Sequence, residues 1–427
     1  MTHETLQPPS RNVPLLAGQG AFSVMAWSMA SPSVVLTFLA VSMDLPIFLA
    51  AALVAIRHTA GTLADICAAG PIGRLAQKKA AIARIDIVVG LCFAAVVLAV
   101  THSDRTVVIG AFVVGIFLIG FLEEVKSLLI IEFVGDNLPS RDRMRVSYSQ
   151  KAIGGAATIA AVLVLHQIFQ DAPALTRHSM VIGFGALCFA VSAALVMALQ
   201  ERPGEAQQAT KETRIESMRA FWRDAARLLV EPWFRKYMFV RLTFVLAGLS
   251  VPFFALIAAE AHHSSEQGLT ALVVSSAAAL MVAAPLWRAL SGYSNRSVMI
   301  AGAAMIAVSG ICLIALHSQG LDHTMHLHAV SLFVATVAVT GLGSARTLYF
   351  MDIAPKEQRI TAQAVSKTLG RLAIIAVSML LAAIAHHGAV LWAIVAISIG
   401  SLLAIVAILS FVGAPPKGDA AQNTTSA

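Results

Sequence analysis

The chain has 427 residues, 58% of them hydrophobic and only 12% charged, with a formal net charge of +7. Soluble domains carry about 25% charged residues, so the composition excludes an ordinary soluble enzyme or nucleic-acid-binding domain and places the chain in the membrane class. The apolar residues fall in runs close to the roughly 20 that a helix needs to cross a bilayer, not in the short alternating segments of an outer-membrane barrel.

Residues 1–17 are polar, contain Pro8, Pro9 and Pro14, and lack the pattern of a cleaved signal peptide, so they read as a cytoplasmic tail. Twelve spans then follow: Gly20–Val41, Leu45–Ala69, Ile85–Val100, Val107–Val134, Ala152–Phe169, Met180–Leu199, Met238–Leu256, Leu269–Trp287, Val298–Leu316, His328–Phe350, Ala364–Ala385 and Val390–Val412. The predicted fold class is all-α, a polytopic membrane protein with a six-helix half at 18–200 and a second at 238–412.

The first span offers Ser23, Trp27, Ser28, Ser31 and Pro32. Trp27, Ser28 and Ser31 are candidates for a substrate cavity, with the two serines sharing a helix face; close helix packing by small residues is the competing role. The second span carries Arg57 and His58 near its middle and Asp65 two turns further on. Arg57 cannot deprotonate and needs a partner, for which Glu123 or Glu124 is the natural choice.

The fourth span holds Glu123, Glu124 and Lys126. Ionisable groups inside a span are costly and mark function by default. Adjacent carboxylates at low dielectric repel, which suits a proton-loading site. Glu123 and Lys126 can pair along the helix, leaving Glu124, about 100° round, as the freer proton carrier. A fixed ion-pair network is the competing reading. Asp86, Glu132, Arg241 and Arg346 fall nearer the span ends, from where they can snorkel, and rank lower.

Orientation follows from Lys and Arg. Of the 30, four lie within spans, and only Arg105 and Arg177 fall in loops on the side opposite the termini. Both termini are therefore expected on the cytoplasmic side of a bacterial inner membrane. The long connection at 201–237 is charged, and Met218, Phe221, Trp222, Ala225, Leu228 and Leu229 recur at helical spacing between Arg219, Arg223 and Arg227. This predicts an amphipathic helix, lying on the membrane surface or packing on the inner loops. Residues 413–427 read as a disordered cytoplasmic tail. Cys67, Cys92, Cys188 and Cys312 sit in apolar runs without metal-ligand spacing and read as small buried residues.

One loop is duplicated. Asp136, Pro139, Arg143, Lys151 and Gly154 follow the fourth span, and Asp352, Pro355, Arg359, Lys367 and Gly370 follow the tenth, every pair 216 residues apart. Parallel halves with a substrate site at their interface are a known transporter design. The carboxylate and proline end one helix and the basic residues anchor the next. The loops are candidates for a conformational role, against a purely topological one.

Twelve spans in two halves, a long basic central loop and paired basic loops after spans two, four, eight and ten resemble the major facilitator superfamily. The superfamily's hallmark loop reads Gly-x-Leu-Ala-Asp-Arg-x-Gly-Arg-Arg; here Gly70 to Lys79 reads Gly-Pro-Ile-Gly-Arg-Leu-Ala-Gln-Lys-Lys, with Arg74 where the Asp is expected. The fifth span has Gly154 and Gly155 but no Gly-Pro signature. The chain is most similar to a poorly characterised bacterial permease branch, for which the family implies no substrate. The resemblance implies that spans one, four, seven and ten line a central cavity.

Eleven histidines lie at or near the outer face, most densely His317, His323, His326 and His328 with Asp322. Imidazole and carboxylate suit divalent transition metals such as iron, so a metal-capture region is a second reading. The leading expectation is a secondary transporter moving a small solute by alternating access, coupled to protons through the fourth span. The alternatives are a divalent-metal transporter and a non-transporting membrane assembly or sensor protein. An enzyme is not expected, since no Gly-x4-Gly-Lys-Ser/Thr, His-Glu-x-x-His or Gly-x-Ser-x-Gly pattern occurs. The expected partners are a small-molecule or ion substrate, protons and the lipid bilayer, with no cofactor, no nucleic acid and a monomeric state.

Overall fold

The computed structural model describes residues 12–72, 75, 77–102, 104–137, 140–201, 223, 225–265, 267–291, 294–321, 324–355 and 358–412. Within them, the side chains of 68–72, 135–136, 140–145 and 360 are not described. Twelve helices are long and apolar enough to cross a membrane: Asn12–Ser42, Ile47–Cys67, Lys78–His102, Arg105–Val134, Val146–Ile168, Ala174–Met197, Pro232–His262, Gly268–Ser291, Asn295–Ser318, Met325–Ile353, Thr361–His387 and Val390–Phe411. They are numbered here as spans 1 to 12. Each overlaps one of the twelve apolar runs of the sequence, and the chain is an integral membrane protein.

Most spans run several residues beyond the apolar run that marks them. Span 3 begins at Lys78 rather than at Ile85. Its first turn is capped by Glu201, whose carboxylate accepts from the Lys78 and Lys79 backbone N–H groups at 2.6 and 3.3 Å. A carboxylate at a helix N-terminus satisfies orphan donors and complements the dipole, so charged residues can stand inside this helix.

Span 1 is broken. Its α-helix ends at Met29, and a π turn covers Pro32–Leu36 before the helix resumes. Pro32 has no N–H to donate, and the Ser31 carbonyl instead accepts from Val34, Val35 and Leu36. Span 7 breaks likewise at Leu249, between Pro232–Gly248 and Ser250–His262.

The chain divides into two compact units, one of Met1–Lys211 with Ala258–Met281 and one of Glu212–Ile257 with Val282–Ala427. In the first, spans 1, 3, 4 and 6 enclose Phe93, Phe112, Phe133 and Phe189. Asn12 exchanges hydrogen bonds with the Gln200 backbone at 2.8 and 3.1 Å, tying the start of span 1 to the end of span 6. Gly154 of span 5 permits close approach, since a Cβ there would stand 2.7 Å from the Ala21 carbonyl oxygen and from the Val24 Cβ. Small residues at helix crossings serve this purpose in lipid, where burial against hydrocarbon drives little association.

In the second unit, Ala225 and Leu228 are buried against Phe234, Tyr237, Met238, Phe350, Ala354, Ala362 and Val365. This part of the expected amphipathic helix therefore packs on protein; Met218, Arg219, Phe221 and Trp222 lie outside the described residues. Trp287 of span 8 donates to the Val337 carbonyl of span 10 at 2.7 Å and lies on Gly341.

Candidate functional site: charges inside the first unit

Arg57 stands at the midpoint of span 2. Its Nε and Nη2 donate to the two carboxylate oxygens of Glu123 at 2.8 and 2.7 Å, a bidentate fork. Both side chains are about 30% exposed. The Arg57 guanidinium lies 5.7 Å from the centre of the Trp27 ring, which sets the cation over the negative face of the indole. Trp27 is itself fixed edge-on by Phe93 at 6.0 Å and Phe189 at 5.3 Å. Gly120 allows span 4 to reach Arg57, because a Cβ there would meet the Arg57 carbonyl oxygen at 2.7 Å.

One turn further along span 4, Lys126 is buried and ion-paired to the fully buried Asp86 of span 3. Lys126 also donates to Ser23 Oγ of span 1 at 3.1 Å, and Asp86 accepts from Ser192 Oγ of span 6 at 2.8 Å. Ser192 Oγ in turn accepts from Gln19 Nε2 at 3.0 Å. Spans 1, 3, 4 and 6 thus share one polar chain, Gln19–Ser192–Asp86–Lys126–Ser23. Its Gln19 end lines a cavity of about 230 Å3 bounded by Leu16, Ile82, Val146, Gln150 and Val196.

Two sequence expectations change here. Glu123 pairs with Arg57 across helices and not with Lys126 along its own, because Lys126 is taken up by the buried Asp86 of span 3. Glu124 is half-buried and has a partner, as do His58 and Asp65. Asp86 was the residue the sequence undervalued. An apolar run starting at Ile85 puts it at a span end, whereas a helix starting at Lys78 puts it two turns inside. The signal was present in Lys78 and Lys79 themselves, a helix start placed ahead of the hydrophobic run.

Of the other candidates, Ser28 is buried and Ser31 half-buried, the latter committed through its carbonyl to the π turn. The Pro139 backbone and the side chains of Asp136 and Arg143 lie outside the described residues, and Lys151 is half-buried. In the second copy of the loop, Arg359 Nη2 donates to the Met351 and Ala354 carbonyls at 2.8 and 3.3 Å, capping the end of span 10. Asp352 accepts from Asn295 at 3.2 Å, Pro355 is exposed, and Lys367 is half-buried with a partner of its own. Asp322 and His323 lie outside the described residues; His317 and His326 are exposed and His328 is buried. Among the described residues no three His, Cys, Asp or Glu side chains converge on a metal position.

Comparison with known proteins agrees with this architecture. The sequence model of the Major Facilitator Superfamily matches residues 237–427. Uncharacterized proteins of Mycobacterium tuberculosis and Mycobacterium bovis are 26% identical over 300 residues, covering 70% of this chain; that match spans 57% of their own length. Among solved structures, the nucleoside transporter NupG is similar with a TM-score of 0.65 at 14% identity, covering 94% of this chain and 99% of that one. The xylose transporter XylE from E. coli, in an inward-open conformation, gives 0.65 at 15% identity, covering 96% and 97%. A POT family transporter in complex with 5-aminolevulinic acid gives 0.67 at 12% identity, covering 94% and 95%. The chain thus shares the fold of these solved transporters, and its residues 237–427 match the sequence model of the Major Facilitator Superfamily.

Proposed function

We propose that this protein is a secondary transporter of a small solute, working by alternating access in a bacterial inner membrane with cytoplasmic termini, and coupled to protons at Glu123. The observation that carries the reading is the Arg57–Glu123 fork, a partly exposed ion pair at the middle of span 2 beside a buried one. A scaffold gains little from such charges, because burying ions in a bilayer is expensive.

A proton arriving on Glu123 removes the charge that holds Arg57. Charges about 4 Å apart attract by about 4 kcal/mol at an effective dielectric of about 20; partial exposure of this pair lowers that figure. The released guanidinium stays over Trp27 and becomes available to another anion or to water. Loss of the proton restores the fork. Asp86 and Lys126 are held by Ser192 and Ser23 and keep spans 1, 3, 4 and 6 in register while the outer pair exchanges. The fold of nucleoside and sugar transporters supports the solute class only as broadly as "small and water-soluble".

The test uses the purified protein in proteoliposomes, with a solute chosen by thermal stabilisation. Uptake is expected to rise with an imposed pH gradient, and Glu123→Gln is expected to keep solute exchange without the gradient response. Uptake that is equally fast with and without the gradient in the native protein rules out the coupling.

A further inference from the structure

Arg241 of span 7 and Arg346 of span 10 stand in the second unit with no carboxylate partner among the described residues. In that unit's parts of spans 7 and 8 (232–257 and 282–291) and in spans 9 to 12 (295–318, 325–353, 361–387 and 390–411), Asp352 is the only acidic residue. It sits at the end of span 10 and accepts from Asn295. Among the described residues, no acid lies within ion-pairing distance of Arg241 or Arg346. Arg346 stands one turn before Tyr349 on span 10, and the Tyr349 ring packs 6.4 Å from that of Tyr237, the residue to which Arg241 donates. Half-buried cations inside two membrane spans, with no acid beside them among the described residues, are the reverse of what desolvation favours.

The surroundings hold them in place. Arg241 Nη1 donates to the Tyr237 hydroxyl, one turn earlier, at 3.2 Å. The guanidinium lies flat on span 11 at Gly370, where a Cβ would stand 2.6 Å from Nε and 2.8 Å from Nη2. Arg241 Nε is buried and makes no hydrogen bond among the described residues. Tyr349, three residues beyond Arg346 on span 10, brings its ring to 6.4 Å from that of Tyr237. Spans 7, 10 and 11 therefore converge on two guanidiniums and two phenols, all hydrogen-bond donors.

We infer that Arg241 and Arg346, with Tyr237 and Tyr349, form a binding site for an oxyanion, a phosphate or carboxylate group. Paired guanidinium forks match the planar geometry of a carboxylate or one face of a phosphate. The bound anion supplies the negative charge that the described residues do not place beside these guanidiniums. The group can belong to a soluble solute, which would make the cargo of the proposed transporter anionic, or to a lipid headgroup. The soluble case rests on the transport reading; the site itself does not.

Binding is measured without any gradient, on the full-length protein in nanodiscs of neutral phosphatidylcholine, with inorganic phosphate and then a panel of mono- and dicarboxylates. Thermal stabilisation and equilibrium dialysis are read for the native protein, Arg346→Gln, Arg241→Gln and Arg346→Lys. Loss of a charged hydrogen-bond pair is expected to weaken binding roughly tenfold to a hundredfold in either Gln variant, and less in Arg346→Lys. Each Gln variant without ligand is expected to melt higher than the native protein, since it removes a cation that desolvation disfavours. A structural role for the arginines predicts the opposite. A parallel arm uses phosphatidylglycerol nanodiscs: arginine-dependent lipid retention that free anions do not displace assigns the group to a headgroup. The inference is overturned if neither soluble anions nor phosphatidylglycerol bind, or if binding is unchanged in both Gln variants. Because no transport is involved, failure of proton-coupled uptake leaves this result standing, and the reverse holds too.

Discussion

Replacing Asp86 by Asn removes one charge from a pair that has no water to turn to. Asp86 is fully buried and Lys126 is 5% exposed. Breaking a buried pair from one side costs about 3–5 kcal/mol, whereas replacing both partners by groups of similar size is often neutral or stabilising by about 1–4 kcal/mol. Asp86→Asn leaves an ammonium with Ser23 as its remaining partner, and Lys126→Met leaves a carboxylate with Ser192. Each single change is therefore expected to destabilise by about 3 kcal/mol. The lower end of the range applies because a chain unfolded within detergent or lipid still finds polar partners. The double variant Asp86→Asn/Lys126→Met is expected near native stability, giving a coupling of about 6 kcal/mol, the sum of the two single losses, or roughly ten-thousandfold or more in the unfolding equilibrium. The assay is unfolding by dodecyl sulfate in mixed micelles. Fluorescence of Trp27 is a suitable probe, because it packs on Phe189, over which Lys126 lies at 5.8 Å. A coupling below about 1 kcal/mol would show that the pair is hydrated, and the argument from burial would fail.

Other consequences are more local. Gly154→Val forces spans 1 and 5 apart, since even a Cβ meets the Ala21 carbonyl oxygen at 2.7 Å; a loss of about 1–3 kcal/mol is expected in the same unfolding assay, and a neutral result would refute the close packing. Arg359→Ala removes the cap on the Met351 and Ala354 carbonyls. It should lower stability by about 1 kcal/mol and leave solute affinity alone; an abolished uptake at native stability would instead make this loop part of the conformational machinery. Trp27→Phe keeps an aromatic face under Arg57 while Trp27→Ala removes it. Uptake is therefore expected to survive the first substitution better than the second, and equal loss in both would argue against a cation–π role.

The twelve spans were legible because a helix in lipid must satisfy its own backbone and cover it with apolar side chains. That constraint writes each span as a long hydrophobic run. The Arg57–Glu123 partnership was legible as well, since an arginine in mid-span must find an acid and few were on offer. Asp86 was not, for a reason that generalises: hydrophobic runs report where lipid is met, while helices start where their donors are capped. Glu201, more than a hundred residues away in sequence, caps span 3 and so draws Asp86 into the interior. The pairing of Lys126 followed the same hidden geometry. Of the outer-face histidines, His317 and His326 are exposed and His328 is buried, while Asp322 and His323 lie outside the described residues.

The internal repeat clarifies why the two units differ in charge. At an offset of 216 residues, Gly154 corresponds to Gly370, Met25 to Arg241 and Ile130 to Arg346. The glycine does the same thing in each copy, letting the first span of its half come close to the fifth. What it admits is different: the Ala21 backbone and Val24 in one, the Arg241 guanidinium in the other. The first unit keeps Arg57, Glu123, Lys126 and Asp86, in which every cation has its acid. The second gains two cations at positions that are apolar in the first and gains no acid inside its spans. A duplicated scaffold that needed these positions only for packing would have kept them apolar, since each buried charge costs several kcal/mol. A neutral, self-compensated network in one unit and an excess of guanidinium in the other divide two tasks on one fold. On the proposed reading, a proton on Glu123 frees the Arg57 guanidinium in the first unit, and the guanidiniums of the second take an anion from outside.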